Sequence, residues 1–301
     1  WKPVPASLAS SSAAYSMAAP EAGITHPLVV IAAPNGARLG KSNHPQVPLT
    51  IPETAHCAQD LAERGVSVLH LHVRDEAGRH SLDAGRYRET IAAIRARVGD
   101  RLVIQATTEA VGHYDRQQQM ALARDLKPEA ISLALRELCP DAASEPEAGE
   151  FFRELAGSGT WPQYILYSPQ DCARFDRLRR DGIFGTKRPF ALFVLGSYGE
   201  GRHGRPEELD GFLGAFEPGA FPWAVCCFGP AESVALTRAV AAGGHARIGF
   251  ENNQQLPDGQ AAGDNAELVE ATLDVMAASL ECEFQLASAQ WVREEFMTQI
   301  G

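Results

Sequence analysis

From Pro27 onward the sequence predicts an α/β protein of the (β/α)8 barrel type, and three observations carry that reading. Short β-rich apolar runs alternate with helical patterns at a steady spacing, the mark of successive βα units around a parallel sheet. Eight such units fit within about 250 residues, which suits a closed barrel better than an open doubly wound sheet. No GxGxxG follows the first run, so the dinucleotide-binding alternative lacks its phosphate turn.

The first predicted strand is PLVVIAA (27–33). It runs into a long polar segment, PNGARLGKSNHPQVPLT (34–50), and long loops on this fold cover the C-terminal mouth where active sites sit. A helix begins at TIPE (50–53), where Pro52 suits the first turn and Glu53 complements the helix dipole, and it runs to Gly65, a natural stop. The later strands are VSVLHLHV (66–73), RLVIQATT (101–108), EAISLAL (129–135), PQYILYS (162–168), PFALFVLG (189–196), PWAVCCFG (222–229) and HARIGF (245–250), each followed by a helix candidate. In the last unit Val269, Leu273, Met276 and Leu280 recur on one helical face and read as core.

Composition limits the function classes. Lys and Arg number 27 against 38 Asp and Glu, a formal net charge of −11, so no basic field is available for a nucleic-acid backbone or an anionic membrane. No apolar run approaches the length of a membrane span. The six cysteines are scattered without a CxxC pair and read as reduced core thiols. Residues 1–24 are rich in Ala, Ser and Pro and lack a secretory h-region; they read as a flexible N-terminal arm or an expression remnant, with Met17 a candidate native start. Residues 25–301 then form a single barrel with a C-terminal helical extension, in a cytoplasmic protein.

His70 and His72 lie in HLHVRD at the end of the second strand, and two-residue alternation puts both imidazoles on one face. In a barrel that face is the interior, where two such nitrogens can bind one Zn²⁺. The competing reading is a pair of core histidines bonded to neighbours. Glu251 follows the eighth strand in RIGFENN, and two His with one Glu make a catalytic zinc set with an open position. Alternatively, Glu251 is a strand-end carboxylate paired with Arg247 or Arg74.

HLHVRDEAGRHSLD, IQATTEAVG, WAVCCFGPAES, GGHARIGFENN and LPDGQAAGDNAELVE together resemble the β-keto acid cleavage enzymes, the group typified by 3-keto-5-aminohexanoate cleavage enzyme. The likeness runs from about Pro27 to about Leu280, and it is the joint presence of HLHVRD and the GxEDN-like segment that makes it specific. It implies a (β/α)8 barrel, commonly a homotetramer, with Zn²⁺ on His70, His72 and Glu251. It also implies retro-Claisen cleavage of a β-keto acid with acetyl-CoA as co-substrate, giving acetoacetate and a new CoA thioester. Thr107 and Thr108 match the family's hydroxyl-bearing loop, either to bond the substrate carboxylate or as ordinary packing at the barrel mouth.

The chain departs from the family pattern at informative places. The family's Asp after the zinc-binding Glu, which forms a base dyad with the residue at Arg247, is Asn252 here, and an amide accepts no proton at neutral pH. Glu109 stands where the family usually has Gly, as a substitute base or a solvated loop carboxylate. Arg38 replaces the acid that an amine-cleaving relative carries, which favours a neutral or anionic distal group on the substrate unless Arg38 points to solvent or pairs with Glu109. Arg136 and Glu137, after the fourth strand, are expected to form a local ion pair or, failing that, to add charge at the mouth. Arg202, His203 and Arg205, after the sixth strand, are a plain turn or contacts for CoA phosphates. Trp291, Phe296 and Ile300 have no place in the barrel pattern and suggest a homo-oligomer, unless they pack on their own barrel. A zinc hydrolase on the same fold and a zinc-retaining binding protein remain as alternative functions; a requirement for acetyl-CoA separates the first from acyl transfer, and ligand binding without product marks the second.

Overall fold

A computed structural model describes residues 26–199 and 202–298. The residues read as an N-terminal arm, Met17 among them, lie outside the described part, as does Ile300. The strands are β1 (Val30–Ala32), β2 (Val68–Leu71), β3 (Val73–Arg74), β4 (His80–Ser81), β5 (Val103–Thr107), β6 (Ala130–Ala134), β7 (Trp161–Leu166), β8 (Phe190–Leu195), β9 (Trp223–Cys227) and β10 (His245–Ile248). Eight of them close a parallel barrel in the order β1-β10-β9-β8-β7-β6-β5-β2, while β3 and β4 pair antiparallel as a hairpin on the mouth. Each barrel strand falls in one of the eight apolar runs, with helices between, as the sequence predicts. Only the β3–β4 hairpin was not anticipated.

Alternation explains the two cores. Outward residues such as Leu69, Leu71, Ile104 and Leu133 meet the helices. Inward residues near the strand starts, including Val29, Val68, Val103 and Ala224, fill the lower barrel with hydrocarbon. Higher up, the inward positions are His70, Gln105, Ser132, Gln163 and Arg247, all buried. The barrel is thus dry at its lower end and polar toward the end where its active site belongs.

Local chemistry fixes the helix ends. The helix Ile51–Glu63 starts in a capping box: the Thr50 hydroxyl accepts from the Glu53 amide, and Glu53 accepts from the Thr50 amide. The helix after β10, Asn265–Leu280, buries Val269 and Met276, with Leu273 and Leu280 half-buried along the same face. All six cysteines are free thiols. No helix among the described residues is long and apolar enough to cross a membrane.

The C-terminal segment has a place in the fold. Phe296 stacks on Trp161 with centroids 5.3 Å apart and meets Phe190 edge-on at 5.2 Å. Arg293 pairs with Glu129 at 2.6 Å and donates to the Asp100 and Leu102 carbonyls at 2.8 and 3.0 Å. These contacts place Trp291 and Phe296 against the lower end of the chain's own barrel.

One buried group is mismatched to its surroundings. Tyr164 is fully buried among Phe152, Phe175 and Phe184, and its hydroxyl has no partner among the described residues. An unpaired buried hydroxyl costs about 1–3 kcal/mol. Tyr164→Phe should therefore raise unfolding free energy by about 1 kcal/mol, read by urea denaturation; a loss of that size would reveal a hydrogen bond to the phenol.

Candidate active site

Four backbone devices bring the site together. His70 ends β2 facing inward, and His72 follows one pleat later, each about 1% exposed. The Asp75–Arg79 turn then reverses the chain: Asp75 Oδ1 accepts from the Ala77 and Arg79 amides at 2.9 Å, and the hairpin returns His80 beside His72. Gly249, at φ +146° after β10, approaches Ala33 so closely that a Cβ would lie 2.3 Å from its carbonyl oxygen. Gly36, at φ +54°, leaves room for Glu251, whose Cγ would stand 2.6 Å from any Cβ there.

Hydrogen bonds set the tautomers. His70 Nδ1 faces the Gln105 Oε1 acceptor at 2.8 Å, so it carries the proton and leaves a lone pair on Nε2. His80 Nε2 donates to the Glu109 carbonyl at 3.0 Å, which makes its Nδ1 an acceptor for His72 Nδ1–H at 3.4 Å. The Nε2 lone pair of His72 is freed in turn. The two Nε2 atoms lie 3.0 Å apart, and Glu251 Oε2 stands 3.5 Å from each. That oxygen has no hydrogen-bond partner among the described residues, whereas Oε1 takes the Arg247 guanidinium and the Tyr198 hydroxyl, the latter at 3.1 Å.

The donor set fits a divalent metal. Donors 2.0–2.1 Å from a tetrahedral ion lie about 3.3 Å from one another, close to the separations here. Burial pushes His70 down to about 4 and His72 well below its ordinary value, so both imidazoles are neutral at neutral pH. Burial alone would raise the Glu251 carboxyl, but Arg247 and the two histidines hold it well below the usual carboxylate range. Three oriented lone-pair donors converge on one point with no hydrogen between them.

Of these donors His70 and Glu251 lie on one wall of a cavity of about 340 Å³ at the mouth, with His72 buried beside them, and Arg38, Thr107, Glu109, Arg136 and Tyr198 also line it. Burial, with the nearby charge of Glu251, pushes Glu109 up to about 7, and its Oε2 lies 3.9 Å from His72 Nε2. Thr107 Oγ1 accepts from the Glu109 amide and the Ser132 hydroxyl at 3.2 and 3.1 Å. Its own proton is left free to face the cavity.

A profile of the beta-keto acid cleavage enzyme family matches residues 27–296. The chain belongs to this family. It is 29% identical over 249 residues to the 3-keto-5-aminohexanoate cleavage enzyme of Acetoanaerobium sticklandii, spanning 81% of this chain and 89% of that protein. It is 24% identical over 262 residues to the 3-oxoadipate:acetyl-CoA acetyltransferase of Cupriavidus necator, spanning 82% of this chain and 87% of that protein. The binary complex of ObcA with oxaloacetate superimposes with a TM-score of 0.65 at 15% identity, over 84% of this chain and 67% of that one, a likeness of fold alone. As a family member the chain is a carbon–carbon-cleaving acyltransferase acting on β-keto acids.

In this family member the site residues expected from sequence do not all meet. His70, Glu251, Arg247, Glu109, Thr107 and Arg38 share the cavity, while His72 is buried beside it, its Nε2 3.0 Å from that of His70. Thr108 does not line it, because its hydroxyl turns to the Ser132 carbonyl at 3.1 Å. Asn252 is buried with both amide atoms unpartnered, and Arg247 binds Glu251 instead of it. Arg74 grips the loop after β1 through the carbonyls of Asn35, Gly36, Ala37 and Leu39, leaving Glu251 to Arg247. Arg136 and Glu137 form no ion pair: Arg136 stacks on Tyr167, while Glu137 accepts from Gln119 and the Ala110 amide. Arg205 turns to Glu208 at 3.3 Å, and Arg202 reaches the cavity. Sequence reasoning missed His80, Gln105 and Tyr198. Gln105 was within reach of it, since it precedes Thr107 by one pleat and shares its inward face.

Behind the site, Glu232 opens the helix Glu232–Ala241, fully buried, with one oxygen accepting from Asn253 at 3.2 Å and the other unpartnered. Burial raises its pKa from 4.5 to about 8. The folded protein therefore holds this proton more tightly than the unfolded chain, and stability falls as pH rises across that interval. Glu232→Gln should melt above wild type at pH 8, with a smaller gap at pH 5; a gap independent of pH would show that Glu232 is not held as the neutral acid.

Proposed function

We propose that this chain carries out zinc-dependent retro-Claisen exchange between a β-keto acid and acetyl-CoA, giving acetoacetate and a new CoA thioester. The observation that carries the reading is the convergence of His70 Nε2, His72 Nε2 and Glu251 Oε2 on the wall of a substrate-sized cavity. Two imidazoles and one carboxylate are a donor set suited to zinc. Held there, Zn²⁺ would supply Lewis-acid stabilisation for the negative charge that develops as the β-keto acid becomes a carbon nucleophile.

The chain's own residues supply the rest. Glu109 takes the place of the missing aspartate as base and removes a proton from C2, the carbon between keto and carboxylate groups. C2 attacks the acetyl carbonyl and the CoA thiolate leaves. The thiolate then adds to the original keto carbon, and the bond from that carbon to C2 breaks with its electrons going to C2. Glu109 returns the proton to C2 and releases acetoacetate. Thr107 donates its free hydroxyl proton to the substrate carboxylate. Arg38 stacks on Tyr198 at 5.1 Å and forms no ion pair among the described residues, which favours a neutral or anionic distal group. Arg202 lies both on the cavity and on an adjoining groove with His203 and Arg205, a path for the phosphates of CoA.

Metal analysis of the purified chain should find about one zinc per chain, falling below a tenth in His70→Ala; full zinc content in that variant would overturn the ligand assignment. A mass-resolved screen of β-keto acids with acetyl-CoA should show new CoA esters, with no product when acetyl-CoA is left out. Product formation without acetyl-CoA would point to hydrolysis. Glu109→Gln should keep the metal and lower kcat by roughly 10²–10⁴; undiminished turnover would move the base elsewhere.

A further inference from the structure

The cavity has two chemically different ends. Glu251 follows β10, and Arg136 follows β6, four strands round the ring in either direction. Arg136 therefore faces the metal donors from the opposite side of the mouth. Its guanidinium lies over the Tyr167 ring at 3.5 Å from the centroid, a stack that orients the plane while leaving its edge N–H groups free. The adjacent acid, Glu137, also lines the cavity, but it makes no ion pair with Arg136, because one oxygen accepts from Gln119 Nε2 at 2.7 Å and the Ala110 amide at 3.3 Å. Among the described residues Arg136 makes no ion pair. The wall near it is aliphatic, with Ala134, Ile165 and Val194 from β6, β7 and β8.

The other cavity arginines are placed differently. Arg247 is engaged by Glu251, Arg202 sits at the junction with the adjoining groove that also holds His203 and Arg205, and Arg38 lies on the metal side, over a tyrosine that itself bonds Glu251. Arg38 adds positive field, whereas Arg136 presents an oriented fork at the far end. We infer that the substrate is a β-keto dicarboxylate whose distal carboxylate is received by Arg136, an inference that rests on the β-keto acid cleavage reading above. The keto-carboxylate head takes the metal end, methylenes lie along the aliphatic wall, and the second carboxylate meets the guanidinium edge in the bidentate geometry that arginine favours. Arg136 is thus a specificity residue, remote from the bonds that change.

The test compares zinc-loaded wild type, Arg136→Met and Arg136→Lys on 3-oxoadipate and its neutral-ended counterpart 3-oxohexanoate, each with acetyl-CoA. Wild type should favour 3-oxoadipate by tenfold or more in kcat/KM. Arg136→Met should bring that ratio toward one, chiefly through KM, and Arg136→Lys should regain part of it. A wild-type ratio near one, or an equal loss on both substrates in Arg136→Met, overturns the assignment. Should neither acid be cleaved, the reaction reading fails for these substrates, and calorimetry with the unreactive ligands glutarate and butyrate decides separately. Glutarate binding at least tenfold tighter, with the difference lost in Arg136→Met, upholds the carboxylate site; equal binding of the two overturns it.

Discussion

Two imidazole lone pairs aimed at each other across 3.0 Å of buried space repel unless positive charge lies between them. Much of the upper barrel is arranged to keep that conflict in place. Gln105 and the His80–Glu109 carbonyl relay hold the outer nitrogens protonated, so neither ring can turn a hydrogen toward the other. Arg247 and Tyr198 occupy one oxygen of Glu251 and leave the second facing the same point. A divalent cation resolves all three demands at once. The hairpin, the two close-approach glycines and the inward turn of β10 are the backbone features that this geometry requires.

The same electrostatics makes sense of the departures from the family pattern. With an aspartate at 252, the buried carboxylates beside Arg247 would number two. With Asn252, Arg247 is left to Glu251 alone and binds it directly. Glu109 supplies a carboxylate elsewhere in the site, 3.9 Å from His72 Nε2 and in contact with the cavity. There its charge is opposed by burial and by Glu251, which is what raises its proton affinity toward neutrality. The two differences from the family are complementary in charge.

The barrel was readable because its strands carry their own signal: short, largely apolar runs such as Val68–Leu71 and Phe190–Leu195 sit between helix patterns, and the alternation within them fixes which residues face inward. His70, His72 and Glu251 could be grouped for the same reason, since strand ends on this fold converge. What could not be read depends on turns and on competition between partners. His80 joins the site only because the Asp75–Arg79 turn folds it back, and no periodicity reports that. The pairing expected for Arg136 and Glu137 loses to longer-range partners, a tyrosine from β7's end and a glutamine from the helix Arg116–Leu126. Phe296 looked unplaced because its contacts, Trp161 and Phe190, lie more than a hundred residues upstream.

The grip of Arg74 on the loop after β1 has an evolutionary meaning. Its hydrogen bonds in that loop go to four main-chain carbonyls, so the loop's course is secured by groups that every amino acid provides. Asn35 adds a second sequence-blind tie by donating to the Pro48 and His72 carbonyls at 2.9 and 3.1 Å. Position 38 therefore behaves as a socket: its occupant can change from acid to base while the backbone that presents it stays where it is. A lineage built this way can change the charge beside its metal donors by one substitution without first dismantling and rebuilding them.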